Sequence, residues 1–181
     1  MNVRIYSKYL SLTILSLCVV FAFIFLLNLY PLKYKSIIKN YSNMYGVSGE
    51  IVASLINAES SFDKNSVSDK GAVGLMQIVP KTAQWLAGKE GLEYSYDRLF
   101  DAEYNIRLGV SYLKYLINKF EVLDTAIVAY NAGEGNVSRW LEYEQYSEDG
   151  KVLKKIPFKE SENYLKKIKN SLGIYKIRLV F

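Results

Sequence analysis

The 181-residue chain contains no histidine. That removes Ser-His-Asp and Cys-His nucleophilic machinery and every histidine-based zinc site. Its single cysteine, Cys18, sits inside an apolar run. No intramolecular disulfide, CxxC redox motif or thiolate nucleophile outside that run is possible. There is no internal repeat, low-complexity tract or phosphate-binding glycine loop. A concentrated basic charge is lacking too. The net charge is +5, but residues 1–35 hold Arg4, Lys8, Lys33 and Lys35 and no acid. The remainder carries 19 bases against 18 acids. A nucleic-acid binder usually shows a basic face, so none is expected here, and nucleic acid is not an expected partner. Tyrosine, by contrast, is abundant, at 16 residues. Its ring packs and its hydroxyl bonds, which suits core edges and sugar-binding clefts alike.

Charge is also missing from the 24 residues between Lys8 and Lys33. As a helix they span about 36 Å, enough for a hydrocarbon core of ~30 Å. Tyr9 and Tyr30 sit near the ends, where amphipathic rings favour the interface. Pro31 lies just past the segment, outside its hydrogen-bond ladder. A cleaved signal peptide would have a shorter apolar region followed by a small-x-small site, and Leu26 to Tyr30 offers none. Leu17 before Cys18 also argues against lipidation. An uncleaved anchor is the expectation. Residues 1–35 are expected to form a short tip and membrane helix, and 36–181 one compact domain. Basic residues flank both ends, so they do not set the orientation.

The rest reads as helices separated by short loops. Ser36 to Tyr45 is a short helix or connector ending at Gly46. Ser48 is a candidate N-cap for the next helix, with Glu50 in its first turn. Ile51, Val52, Leu55 and Ile56 are its apolar positions, and steps of four reach Glu59 on the same stripe. A carboxylate there is partly desolvated and near a helix C-terminus. Both effects raise its pKa, as a general acid requires. The alternative is a glutamate at a frayed end facing water.

Asp63 to Val79 is expected to be a loop, and Pro80 opens a further helix. Asp101 can cap the next, whose stripe is Ile106, Val110, Leu113, Ile117 and Phe120. Gly109 within it suggests close packing. Asp124 can cap another helix, with Ala126, Ile127 and Tyr130 towards the core, stopping at Gly133. Tyr130 is either a core tyrosine or a site residue. Gly135 to Trp140 starts a short helix, and Tyr146 to Lys151 is a polar loop. Glu160 and Tyr164 share a face if a helix begins near Lys159. The tail, Ile174 to Phe181, alternates weakly and reads as a short strand or extended edge.

Four segments carry the chemistry: Ala58-Glu59-Ser60-Ser61-Phe62, Gly74-Leu75-Met76-Gln77, Ala129-Tyr130-Asn131-Ala132-Gly133, and the stretch from Ile156 to Tyr164. In this order and spacing they resemble the catalytic domain of the soluble lytic transglycosylases, relatives of goose-type lysozyme that cleave bacterial peptidoglycan. The resemblance covers about residues 45–170. It implies a mainly α, lysozyme-like domain with a substrate cleft, preceded here by one transmembrane helix. It implies that Glu59 is the acid/base residue. Ser60, Met76, Gln77, Tyr130, Asn131, Glu160 and Tyr164 then hold the sugar and orient Glu59. No metal or cofactor is implied. The implied partner is the peptidoglycan glycan strand, which puts the domain on the extracytoplasmic side of a bacterial membrane as a single-pass protein. The expected product is a 1,6-anhydromuramic acid end. A hydrolysing muramidase, with Asp63 or Asp69 positioning water, is the alternative. An inactive glycan-binding scaffold is a second. Cell-wall or secretion-machinery partners stay open.

Overall fold

The computed structural model describes residues 3–180, with side chains from Tyr9 onward except Ser11. Met1, Asn2, Phe181 and the side chains of the flanking bases Arg4 and Lys8 lie outside it. Eight α-helices carry the described chain. They are α1 (Val3–Leu29), α2 (Lys35–Tyr45), α3 (Gly49–Ser60), α4 (Pro80–Lys89), α5 (Ala102–Phe120), α6 (Leu123–Ala132), α7 (Glu134–Leu141) and α8 (Lys159–Val180). A 3₁₀ turn, Asp97–Phe100, precedes α5. No sheet forms among the described residues, only two isolated bridges, Val67 to Val73 and Val73 to Ile78. The chain divides into two units, 1–31 and 32–181.

In the first unit α1 is apolar on every side from Leu12 to Leu29, and the large side chains described there are exposed. Leu12–Leu29 is long and apolar enough to cross a membrane. Two of its described hydroxyls bond within the helix: Thr13 Oγ1 donates to the Leu10 carbonyl at 2.8 Å and Ser16 Oγ to that of Thr13 at 2.8 Å. Such internal bonding is what a segment without water contact requires.

In the second unit α3 is the central helix. Every residue from Ile51 to Asn57 is buried. The expected stripe is therefore a full circumference, with α8 and α2 packed against it. Ser48 holds the N-cap position, but its side chain makes no capping bond. Only its carbonyl contributes, accepting from Ile51 and Val52. Asp101 does cap α5, accepting from the Tyr104 N–H at 2.8 Å. Asp124 does not cap α6. The N-cap is Val122, and Asp124 pairs instead with Lys169 at 2.7 Å.

The tail corrects a second expectation. It is not a strand but the last turns of the 22-residue α8. Tyr164, Ile168, Ser171, Tyr175 and Leu179 are buried, at steps of 4, 3, 4 and 4. That helical period starts upstream of Ile174, so the tail read alone hides it. Tyr175 packs its ring 6.1 Å from that of Phe62, which fastens α8 to the end of α3.

Candidate active site

The site is built on the C-terminus of α3. The helix stops because Ser61 and Phe62 take left-handed conformations, φ 52° and 65°, and the Ser61 N–H returns to the Asn57 carbonyl. Buried Phe62 holds that turn in place. Glu59 thereby reaches the edge of the core, half-buried. Tyr164 on α8 donates its hydroxyl to Glu59 Oε1 at 2.6 Å. One turn further along α8, the Lys167 ammonium donates to the Ala58 carbonyl at 3.1 Å. It covers the negative end of α3, whose dipole otherwise acts on Glu59.

Burial pushes the Glu59 carboxyl up from the usual 4.5 to about 7. The Tyr164 hydrogen bond and the Lys167 charge oppose that rise, while the Glu160 carboxylate adds to it. The desolvation cost prevails. Glu59 is thus poised to hold a proton near neutral pH and to release it.

The loop from Ser61 to Val79 forms a second wall. The expected loop is tightly organised. Val73 and Ile78 exchange both backbone bonds at 3.1 Å, and the Gly74 N–H reaches the Ser66 carbonyl at 2.8 Å. Gln77, at φ 46°, folds its amide back to the Ser66 and Gly74 carbonyls at 3.0 and 2.9 Å. Asn105 of α5 organises the same turn from beneath. It accepts from the Met76 N–H at 2.8 Å and donates to the carbonyls of Val73 and Leu99 at 2.9 and 2.8 Å. Gly74 has φ 81°, and a Cβ there would meet Asn105 Nδ2 at 2.2 Å. Only glycine fits.

The third wall is the end of α6. Tyr130 donates to the Met76 carbonyl at 2.9 Å, tying this wall to the loop. Asn131 accepts from Ser161 of α8 at 2.7 Å. Gly133, at φ 86°, ends the helix as expected.

These walls enclose a cleft of about 530 Å³. Glu59, Gln77, Tyr130, Asn131 and Glu160 all line it. Three expected residues act from behind. Tyr164 bonds Glu59. Ser60 Oγ donates to the Leu75 carbonyl at 2.9 Å, fastening loop to helix. Met76 is wholly buried, its sulfur filling the space that Gly109 leaves, where an added Cβ would lie 2.3 Å away. It faces the core and not the cleft, and the close packing at Gly109 is with this side chain. The candidate second acids separate. Asp69 lines the cleft, whereas Asp63 accepts from the Asn65 N–H at 2.9 Å in a local turn. Sequence reasoning missed Tyr112, which lines the cleft with its ring 5.3 Å from Tyr130, and buried Asn105. A polar residue adjoining an apolar stripe was the available signal for Asn105. Among the described residues no cluster of three or more acids and cysteines gathers to hold a metal.

The sequence profile of the Transglycosylase SLT domain matches residues 36–153. The chain belongs to this family. The soluble lytic murein transglycosylase of Escherichia coli is 32% identical over 145 residues, covering 77% of this chain and 22% of that protein. Membrane-bound lytic murein transglycosylase C of Mannheimia succiniciproducens is 36% identical over 125 residues, covering 62% and 35%. The fold is similar to that of lytic transglycosylase Slt from Pseudomonas aeruginosa, solved as an inactive Glu-to-Gln mutant. There the TM-score is 0.73 at 28% identity, over 83% of this chain and 25% of that one. The chain thus spans between 22% and 35% of the length of these relatives. Within the SLT domain, the profile ends before Glu160 and Tyr164, yet folding brings both to the Glu59 corner.

Proposed function

We propose that this chain cleaves the β-1,4 bond between N-acetylmuramic acid and N-acetylglucosamine in peptidoglycan, without consuming water. Protonated Glu59 gives its proton to the glycosidic oxygen. The carbonyl of the sugar's own 2-acetamido group stabilises the positive charge at C1. Glu59, now a carboxylate, accepts the proton of the C6 hydroxyl as that oxygen attacks C1. The product is a 1,6-anhydromuramic acid end, and Glu59 is protonated again. Tyr164 orients the carboxyl throughout, and Gln77, Tyr130, Asn131 and Glu160 contact the sugars.

One observation carries the reading: a carboxyl with a pKa of about 7 lies in a cleft of sugar-binding size, fixed by a buried tyrosine. That is the poise of a group that must act as acid and then as base. The names of the similar proteins, lytic murein transglycosylases, support the substrate. The second reading, a hydrolytic muramidase, draws on Asp69, which lines the same cleft. An inactive scaffold is disfavoured by the presence of Glu59 itself.

Muropeptide mass separates the two active readings. Digestion of purified peptidoglycan by the detergent-solubilised chain is expected to yield ends lighter by one water than lysozyme products. They should resist borohydride, because an anhydro end has no free aldehyde. Reducible ends of full mass as the main product would move the chain to the hydrolases.

The same reading sets its place. Residues 1–35 serve as an uncleaved single-pass anchor and 36–181 as the catalytic domain, held outside the bacterial membrane where peptidoglycan lies.

A further inference from the structure

The cleft does not end at Tyr112. That ring lies parallel to Tyr115, 6.2 Å apart at 15°, and both meet Trp85 of α4 edge-on, at 6.5 and 5.0 Å. Thr82, which lines the cleft, stands one turn before Trp85 on α4. The aromatic surface therefore runs continuously from the cleft wall onto the outer face of α4 and α5. Trp85 is 45% exposed, although packing normally hides so large a ring. At the far end the Lys89 ammonium sits 5.5 Å from the Trp85 ring and 5.2 Å from that of Tyr115. It pairs with no carboxylate among the described residues. The acids around it are committed elsewhere. Glu134 bonds Tyr115 and Lys119, while Glu90 bonds Tyr45, Ser111 and Arg107.

We propose that this ledge is a distant sugar subsite of the same cleft, taking a pyranose ring that bears an acidic substituent. The face of an indole carries negative charge density, which attracts the polarised C–H bonds on the apolar face of a sugar. Lys89, positioned by cation–π contact, supplies the partner for the acid on that sugar or on the peptide attached to it. The ledge so selects strands longer than the bond being cut requires, and acidic strands over neutral ones. This rests on the glycan-cleaving reading of the Glu59 cleft.

The test is binding to the whole chain in detergent, made inactive by Glu59→Gln. The probes are uncross-linked peptidoglycan glycan strands and neutral chitohexaose. Trp85→Ala should weaken both by about tenfold, the scale of a lost stacking contact. Lys89→Gln should weaken the acidic strand alone by about three- to fivefold, as expected of one exposed ion pair, and remove part of its salt dependence. Both positions are exposed, and circular dichroism checks the fold of each variant. Unchanged affinity in Trp85→Ala, or equal effects of Lys89→Gln on both probes, would overturn the subsite. Failure of the Glu59-intact chain to release fragments from peptidoglycan would refute the catalytic reading instead, and these affinities would still decide the ledge.

Discussion

At the scale of single residues, Glu59 sets stability against function. Its folded pKa, about 7, lies above the usual 4.5. The folded state therefore binds a proton that the unfolded chain has already lost between those values. Stability must fall as pH rises through that window, by about 3 kcal/mol in all. Below pH 4.5 both states are protonated and nothing is lost. Glu59→Gln keeps the shape and removes the charge. It should leave urea stability near pH 4 almost unchanged and raise it by about 2–3 kcal/mol at pH 8. Cleavage should drop by ~10²–10⁴-fold. A folded Glu59→Gln protein with near-wild-type activity would contradict the role given to this carboxyl. Cleavage by the unaltered chain should also decline as pH rises past about 7, where the proton-donating form is lost.

At the scale of elements, the loop after α3 is fixed by contacts that its own sequence only half reveals. Gly74 is required twice, by its φ of 81° and by the Leu99 carbonyl, which would lie 2.4 Å from an added Cβ. Gly74→Ala should cost about 3 kcal/mol or more, because the turn and the bonds of Asn105 must both give way. Gly88, exposed in α4 with nothing within 4 Å of a Cβ, is the control. Gly88→Ala should stabilise by roughly 0.5–1 kcal/mol. Paired urea melts check both signs. The contrast marks what the sequence made legible. Apolar periods located α3 and α5 and put Glu59 on the apolar stripe at a helix end, while Pro80 and Gly133 marked the start of α4 and the stop of α6, since those signals are local. The family's motifs placed Tyr164 among the residues around Glu59, but its hydrogen bond to that carboxyl across 105 residues is seen only in the fold. Asn105, Tyr112 and the Trp85 ledge were not legible, because each draws its meaning from a neighbouring element. Ser48 holds its expected N-cap position, though through its carbonyl alone. Asp124 misled because a capping residue type competes with tertiary partners, and Lys169 claimed it. At Met76 the motif fixed the position, whereas the cavity at Gly109 decided which way the side chain points.

At the scale of the whole molecule, a helix of 27 residues precedes the 32–181 unit. It is roughly 40 Å long at 1.5 Å per residue, sufficient to span a bilayer core with some tilt. Tethering would restrict a wall-cutting enzyme to glycan near the membrane. Protein extracted from membranes should begin at Met1 or Asn2, and protease added to intact protoplasts should remove the 32–181 unit. A soluble species starting near residue 30 would mean a secreted enzyme. In the proposed reaction one carboxyl suffices, because the substrate supplies both the charge stabilisation and the nucleophile. Digestion of peptidoglycan in ¹⁸O-water tests this most directly. Attack by the C6 hydroxyl leaves the new muramic acid end unlabelled, which is the predicted result. Label at that terminus in the main product would mean that water is the nucleophile, activated by Asp69 or another group, and would contradict the account.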